Sequence, residues 1–309
     1  MNCMVKAAHL RDARKVAVVA LGGSGHEPAH AAYVGFRGLD GVACGEVFSS
    51  PSVEQIVVTA KQIAGAAGVL FVVKNYTGDI LNTEMAEEIL AAAGIQNDKV
   101  IVNDDVAVEN STYTTGRRGI VGTVFVHHVA GVLASRGLSL AELKLRVEGA
   151  ISRIRSAGVS LTPCTIPSVG RPGFDIPPDQ MEWFMGIHGE PGIERSNIVS
   201  SRDIARRILD RIDHDFPLAA GGKYALIVNG CGGTPLMELY ILYNDAARYL
   251  DSKQSTITSG FVGNFMTSLE MQGASISTFL LDDPLYEDVM NTSSCIFRSE
   301  GSPTPGAEV

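Results

Sequence analysis

What most constrains this chain is a recurring pattern: a short, continuously apolar run that ends abruptly in a glycine-rich or polar turn. Lys15–Leu21 (KVAVVAL) runs into GGSGHEP, Gly68–Lys74 (GVLFVVK) into NYTGD, and Lys99–Val102 (KVIV) into NDD. Strands that are apolar on both faces belong in a sheet covered on both sides. The segments between them, Ser52–Ala64, Thr83–Ala93 and Gly119–Ser135, carry helical periodicity. The first half therefore reads as βαβ units around a mostly parallel sheet. The middle differs. Leu140–Ala157 reads as a helix, and Pro163, Pro167, Pro172, Pro177 and Pro178 then punctuate an irregular stretch leading to Met181–Ile187 and HGEPG. Beyond this junction come a helix around Ser201–Asp213, a strand Lys223–Asn229 into GCGG, a long helix Leu236–Asp251, and strands Gly260–Phe265 and Ser275–Leu281. Residues 299–309 read as a frayed tail. The expectation is an α/β protein of two domains, 1–155 with the glycine-rich loops and 156–309, with the active site at their interface.

Composition removes several classes of function. With 45% hydrophobic and only 19% charged residues in a chain of 309, there is material for a sizeable core, and disorder is excluded. The net charge of −9 and the lack of any basic run argue against nucleic acid. The longest apolar stretch, Ile120–Ala134, is interrupted by His127, His128 and two glycines. It falls short of the roughly 18–20 apolar residues a membrane span needs. The first residues lack a hydrophobic signal core, and the five cysteines are scattered singly, which fits reduced thiols. A cytoplasmic protein is expected.

Three motifs lie at strand carboxyl ends, where open α/β sheets bind ligands. Gly22-Gly23-Ser24-Gly25-His26-Glu27-Pro28 matches no Walker, GxGxxG or GxSxG template. Its glycines would let backbone N–H groups approach an oxygen-rich ligand, and Pro28 suits the first turn of a following helix. The alternative is a plain strand-to-helix turn with a capping serine. His26-Glu27-Pro28-Ala29-His30 also matches H-E-x-x-H literally, but zinc chemistry needs both histidines within one helix, and Pro28 would disrupt it. In Lys74-Asn75-Tyr76-Thr77-Gly78-Asp79 the lysine could hold an oxygen-rich ligand and Asp79 could serve as general base or simply as a helix N-cap. Asn103-Asp104-Asp105 could bind magnesium, or its acids could be solvated in a turn. Arg117 and Arg118 could grip phosphate or lie on the surface.

Gly186-Ile187-His188-Gly189-Glu190-Pro191-Gly192 frames a second histidine with glycines. A neutral imidazole nitrogen is a nucleophile able to add to a ketone carbonyl. His127 and His128, mid-helix among apolar residues, read as packing or surface groups. Gly230-Cys231-Gly232-Gly233-Thr234-Pro235 repeats the turn pattern and reads as structural, forming one wall of a site.

GGSGHEPAHAAYVG, CGEVFSSPS, KNYTGDILN, NDDVAV, TTGRRGIVGT, GIHGEPGIER, GGTPLMELY and GNFMTSLEMQG, in this order from about Lys15 to Asp283, together resemble the substrate-binding subunit of dihydroxyacetone kinases. The resemblance implies that His188 captures dihydroxyacetone as a covalent hemiaminal, and that Gly23, Ser24, Gly25, His26, Lys74 and Asp79 contact the substrate. It also implies that His26 and Asp79 act on the terminal hydroxyl as it attacks phosphorus. The sequence shows no Walker loop and no acidic magnesium–nucleotide motif. It therefore resembles the stand-alone subunit: a homodimer without a cofactor or metal of its own, whose nucleotide and magnesium sit on a separate nucleotide-binding kinase subunit recharged by a phosphotransferase-system phosphoryl donor. A kinase for a related ketose such as erythrulose, or a non-catalytic ketose sensor that regulates a transcription factor, are the alternatives.

Overall fold

The computed structural model describes residues 2–8, 11–107, 116–172, 175–190 and 192–298. The tail expected at 299–309 lies outside them. The first sheet is built from β1 (Cys3–Val5), β2 (Ala17–Ser24), β3 (Gly41–Val47), β4 (Val69–Lys74) and β5 (Asn97–Val102), in the order β1-β3-β2-β4-β5. Every pair is parallel except the β1 edge. The chain leaves β2 toward β3 on one side and leaves β4 toward β5 on the other. The crevice between the carboxyl ends of β2 and β4 is thus the topological switch point, the position where such sheets hold ligands.

Helices α1 (Val53–Ile63) and α2 (Thr77–Ala92) cover one face of this sheet, packing Ile56, Ala60 and Leu90 against Val19, Leu21, Phe71 and Val73. The start of α1 is written locally. The Ser52 hydroxyl accepts from the Gln55 N–H, and the Gln55 side chain accepts from the Ser52 N–H, a reciprocal capping box. Against the opposite face lie α3 (Thr123–Ser135) and α4 (Leu140–Ile151), the latter capped in the same way by Ser139 and Glu142.

The second sheet follows at once. It contains β6 (Ile154–Ser160), β9 (Gln180–Trp183), β10 (Glu194–Asn197), β11 (Lys223–Gly230), β12 (Thr256–Gly263) and β13 (Gly273–Leu280), ordered β10-β9-β6-β13-β11-β12. β11 and β12 are parallel and the other pairs antiparallel. A two-stranded ribbon, β7 (Thr165–Ile166) with β8 (Arg171–Pro172), stands apart. One face of the sheet packs on α5 (Ser201–Asp215) and α6 (Leu236–Ser252). The other turns Ala225, Ile227 and Phe279 toward α3, joined by α7 (Pro284–Met290) and Phe297. The result is five layers, helices–sheet–helices–sheet–helices, with the middle helices shared. This is why α3 is buried on every side from Thr123 to Ala134: it has a sheet on each flank.

Three expectations from the sequence need correction. The helix expected over 140–157 stops at Ile151, and Ile154–Ser160 is a strand. No α-helix follows GGSGHEP; only a 3-10 turn, Ala31–Tyr33, does. The helix after β4 begins at Thr77 rather than Thr83, so Asp79 lies in its first turn instead of capping it. Strand β3 and helix α7 are additions. Among the described residues no helix is long and apolar enough to cross a membrane.

Phe297 is 3% exposed and packs against Phe125, His128, Phe261 and Phe265, which fastens the C-terminal segment into the shared layer. Phe297→Ala should cost about 3–5 kcal/mol in denaturant unfolding. A change below about 1 kcal/mol would show that this segment adds little to the core.

Candidate functional site

His26 closes the loop after β2 and is fully buried. Its Nδ1 lies 2.8 Å from the Thr267 carbonyl oxygen, which can only accept, so the ring proton is on Nδ1 and Nε2 carries a lone pair. That Nε2 is buried and has no partner in the protein. The loop is stitched to the segment between β12 and β13 by three further bonds: Thr267 N–H to the His26 carbonyl, Leu269 N–H to that of Gly25, and the Thr267 hydroxyl to that of Glu27. Phe48, after β3, stacks on His26 at 5.1 Å between ring centroids. Gly23 and Gly25 leave room for this neighbour, since a Cβ at Gly25 would come within 2.9 Å of the Phe48 ring. The Ser24 hydroxyl donates to the Gly45 carbonyl and the Gly25 N–H to the Glu27 carboxylate, so neither caps a helix.

His188 comes from the second sheet's side and faces His26 with ring centroids 4.9 Å apart. Tyr76 at 4.5 Å and Phe48 at 5.6 Å complete an aromatic collar around it. Its Nδ1 is 3.5 Å from Oε1 of Glu190, while Glu190 Oε2 accepts the His188 backbone N–H at 3.0 Å. Burial alone would raise the Glu190 carboxyl. The hydrogen bond and charge of His188, then the charge of Arg118, outweigh it and hold the group below its usual value. The loop's position is fixed from beneath by the Ser268 hydroxyl, which donates to the Ile187 carbonyl at 2.6 Å. Pro191, in the same motif, lies outside the described residues.

Lys74, at the end of β4, is 1% exposed, with Nζ 2.8 Å from His30 Nε2 and 4.0 Å from Asp79 Oδ2. Burial lowers its pKa against the opposing charges of Asp79 and Asp104, and its charge adds to burial and then His188 in depressing His26. Lys74, Asp79, His26 and His188 thus gather at the switch-point crevice.

The remaining candidates serve the frame. Asp104 and Asp105 are neither solvated nor metal-binding. Asp104 accepts the N–H groups of Ile120 and Gly122, each at 2.8 Å, and Asp105 accepts from Ala107 and from Nε of Arg118. Arg118 is buried rather than exposed and also donates to the Phe184 carbonyl, linking the first sheet to the segment that leads from β9 to His188. Arg117 pairs with Asp215 of α5. The His128 ring donates from Nε2 to the Val289 carbonyl and accepts from Ser294 at Nδ1, holding α7. The zinc signature is dismantled: His26, Glu27 and His30 each engage a different neighbour. Among the described residues no group of three or more histidines, cysteines or acids could hold a metal. Sequence reading passed over Phe48, Tyr76, Glu190 and Thr267. Glu190 alone carried a usable signal, a carboxylate two residues from the glycine-framed histidine.

The family model of the Dak1 domain matches residues 1–295. The chain belongs to the Dak1 domain family. Among its relatives is the dihydroxyacetone-binding subunit DhaK of the PTS-dependent dihydroxyacetone kinase 1 of Listeria innocua, 47% identical over 276 residues, which are 89% of this chain and 84% of that one. The corresponding subunit of the PEP-dependent kinase of Escherichia coli is 39% identical over 300 residues, 88% of this chain and 83% of that one. Among solved structures, the dihydroxyacetone kinase operon co-activator DhaQ superposes with a TM-score of 0.87 at 30% identity, covering 93% of this chain and 88% of that one. The C. freundii dihydroxyacetone kinase gives a TM-score of 0.84 at 33% identity, covering 94% of this chain but 52% of that one.

Burial keeps four histidines neutral. His26 and His30 are pushed well below the usual value, His127 to about 3 and His128 to about 4. In the unfolded chain they take up protons near pH 6.5. Stability is therefore intact above that pH and falls as the pH drops toward the folded values. The cost is about 1.4 kcal/mol for each histidine between pH 7.5 and 5.5. Asp104 and Asp105, raised by burial, the latter to about 6 in spite of Arg118, act in the opposite sense. Urea unfolding should show a net loss of stability over this range, smaller than the four histidines alone would produce. Flat stability would mean that the imidazoles are charged in the native protein.

Proposed function

We propose that this chain is the ketose-binding subunit of a dihydroxyacetone kinase. It captures dihydroxyacetone on His188 for phosphorylation by a donor on a separate nucleotide-carrying subunit. The observation that carries this reading is the crevice itself. Two buried polar atoms around His188, Nε2 of His26 and the Tyr76 hydroxyl, have no protein hydrogen-bond partner, and Oε1 of Glu190 has only the His188 ring, 3.5 Å away. Such groups are costly unless a ligand satisfies them.

Glu190 beside Nδ1 favours the tautomer in which His188 carries its proton there and presents the Nε2 lone pair. That lone pair forms a bond to the carbonyl carbon. The π electrons move to the oxygen, the Nδ1 proton passes to Glu190 as the ring would otherwise become cationic, and the oxygen takes a proton from solvent to which Glu190 returns its own, so that one proton is transferred in all from the ring to the new hydroxyl. The product is a neutral hemiaminal. Glycerol has no carbonyl to attack and is not held. The anchored ligand presents its terminal hydroxyl to His26 and Asp79, and Lys74 supplies positive charge to its oxygens. The hydroxyl proton leaves to Nε2 of His26 or to the Asp79 carboxylate as the oxygen attacks phosphorus. Phosphoryl transfer rests mostly on such positioning and charge handling. The phosphorylated product is dihydroxyacetone phosphate.

In this reading the nucleotide and its magnesium reside on the partner subunit, which a phosphotransferase-system protein recharges, and the work is done in the cytoplasm. The names of the Listeria and Escherichia relatives, a PTS-dependent and a PEP-dependent kinase each with a separate dihydroxyacetone-binding subunit, support the division of labour between subunits. We take the functional unit as a homodimer, supported by apolar side chains left uncovered on α6, among them Leu236, Met237 and Tyr240.

Carbon NMR of carbonyl-labelled dihydroxyacetone should show the ketone signal replaced by a tetrahedral carbon with the intact protein and not with His188→Ala. Asp79→Asn should keep that adduct but lose turnover with a competent donor subunit by about 100-fold or more. An unchanged ketone signal with the intact protein overturns the reading. The likeness to the co-activator DhaQ favours a second reading, a ketose sensor without catalysis. Adduct formation with no phosphoryl transfer from any donor subunit, and capture of a DNA-binding protein, would select it.

A further inference from the structure

Beside the site, three buried side chains form one line of hydrogen bonds, and the reaction above makes no use of two of them. Lys74 Nζ lies 2.8 Å from Nε2 of His30, and His30 Nδ1 lies 2.8 Å from Nε2 of His127. None of the three is more than 4% exposed, and Nδ1 of His127 has no partner. The lysine occupies a slot between two glycines. A Cβ at Gly22 would overlap its Nζ, and one at Gly119 would come within 2.9 Å of its Cβ.

An ammonium group can only donate. Lys74 in its charged form therefore makes His30 Nε2 an acceptor and puts the His30 proton on Nδ1. That proton is donated to His127 Nε2, which leaves the His127 proton on Nδ1. A single charge thus orders two tautomers. Among the described residues the other acceptors near Nζ are weaker: the Leu21 carbonyl accepts only a long bond of 3.5 Å, and the Asp79 carboxylate at 4.0 Å is beyond hydrogen-bond range. The one close acceptor is neutral. A carboxylate in place of His30 would hold the ammonium but also cancel its charge. An imidazole holds it and leaves the charge directed at the crevice.

We propose that His30, backed by His127, is the positioning residue for Lys74: it takes one ammonium hydrogen so that the others are aimed at an oxygen of the ligand between His26 and His188. The proposal rests on the reading of this site as one that binds and phosphorylates a short ketose. Burial, reinforced by the charge of Lys74, holds both imidazoles in the neutral state that an acceptor needs.

The test compares two isosteric replacements. His30→Gln places an amide oxygen where Nε2 was and keeps the acceptor for Lys74. His30→Asn keeps the side facing His127 and loses Lys74. With dihydroxyacetone and a competent donor subunit, His30→Asn should lose about 10- to 100-fold in kcat/KM, the range expected for one hydrogen bond to a charged group. His30→Gln should recover most of that loss, and His127→Leu should fall between them. Nitrogen-15 NMR of the ligand-free protein should find both His30 and His127 protonated on Nδ1. Equal losses in His30→Asn and His30→Gln that track a lowered melting temperature would reduce the pair to a structural role and overturn the proposal. So would full activity in His30→Asn, or a His30 protonated on Nε2. Failure of the intact protein to form an adduct would instead overturn the ketose reading, and the tautomer measurement, made without ligand, would still decide this one.

Discussion

The site depends on one strap of chain, Phe265–Met271, between β12 and β13. Thr267 fixes the tautomer of His26 through its carbonyl and the backbone of the same loop through its N–H, while Ser268 holds the Ile187 carbonyl next to His188. The strap is itself secured by Asn229 at the end of β11, whose Oδ1 accepts the N–H groups of Phe265 and Met266 and whose Nδ2 donates to the Met266 carbonyl. One asparagine on a central strand therefore sets where two histidines from different halves of the sequence meet. A pair of imidazoles 4.9 Å apart is useful only if both are held to a fraction of an ångström. Backbone hydrogen bonds of this kind give that rigidity without adding charge.

The five-layer arrangement explains what the site is made of. A sheet covered by helices on both faces, with a second sheet behind, leaves little water near the switch point, so its polar groups survive only in neutral or paired form. His26, His30 and His127 are neutral; Asp105 is paired with Arg118, and Glu190 sits near both Arg118 and His188. Charged groups run in a line from the Asp105–Arg118 pair to Glu190 and His188, so the carboxylate beside the reacting imidazole feels a cation anchored to the loop that leaves β5. Arg118 also reaches the Phe184 carbonyl. Removing it would leave Asp105 as an uncompensated buried carboxylate and free the segment between β9 and His188.

Much of this was legible in the sequence. The apolar runs before GGSGHEP, NYTGD and NDD gave the parallel strands and their order along the chain, and glycines around His26 and His188 marked the two imidazoles. What could not be read were features set by contacts distant in sequence. Ile151 and Ile154 keep a helical spacing, so the passage from α4 into β6 is invisible until Ile154 is seen to pair with Phe279. Asp104 and Asp105 have the look of metal ligands or turn acids because their partners, Ile120, Gly122 and Arg118, lie 13 to 18 residues away. Gly41–Val47 is broken by small residues and has no apolar run to announce it, yet it is a strand because β2 and β1 flank it.

The two adjacent histidines of α3 show how far a helix's sequence underdetermines the work of its residues. His127 and His128 are both buried in an apolar helix, but successive residues on a helix point about 100° apart. Between two sheets, that rotation sends them to different tasks. His128 turns toward α7, where Ser294 and the Val289 carbonyl satisfy both ring nitrogens and leave no chemistry to do. His127 turns toward His30 and keeps one nitrogen unsatisfied. An unsatisfied buried nitrogen is a cost that packing alone gives no reason to retain. Phenylalanine or leucine would fill the space with no such penalty. The imidazole at position 127 makes sense only as the far end of the line that begins at Lys74, where an acceptor for His30 without charge is worth more than a satisfied donor.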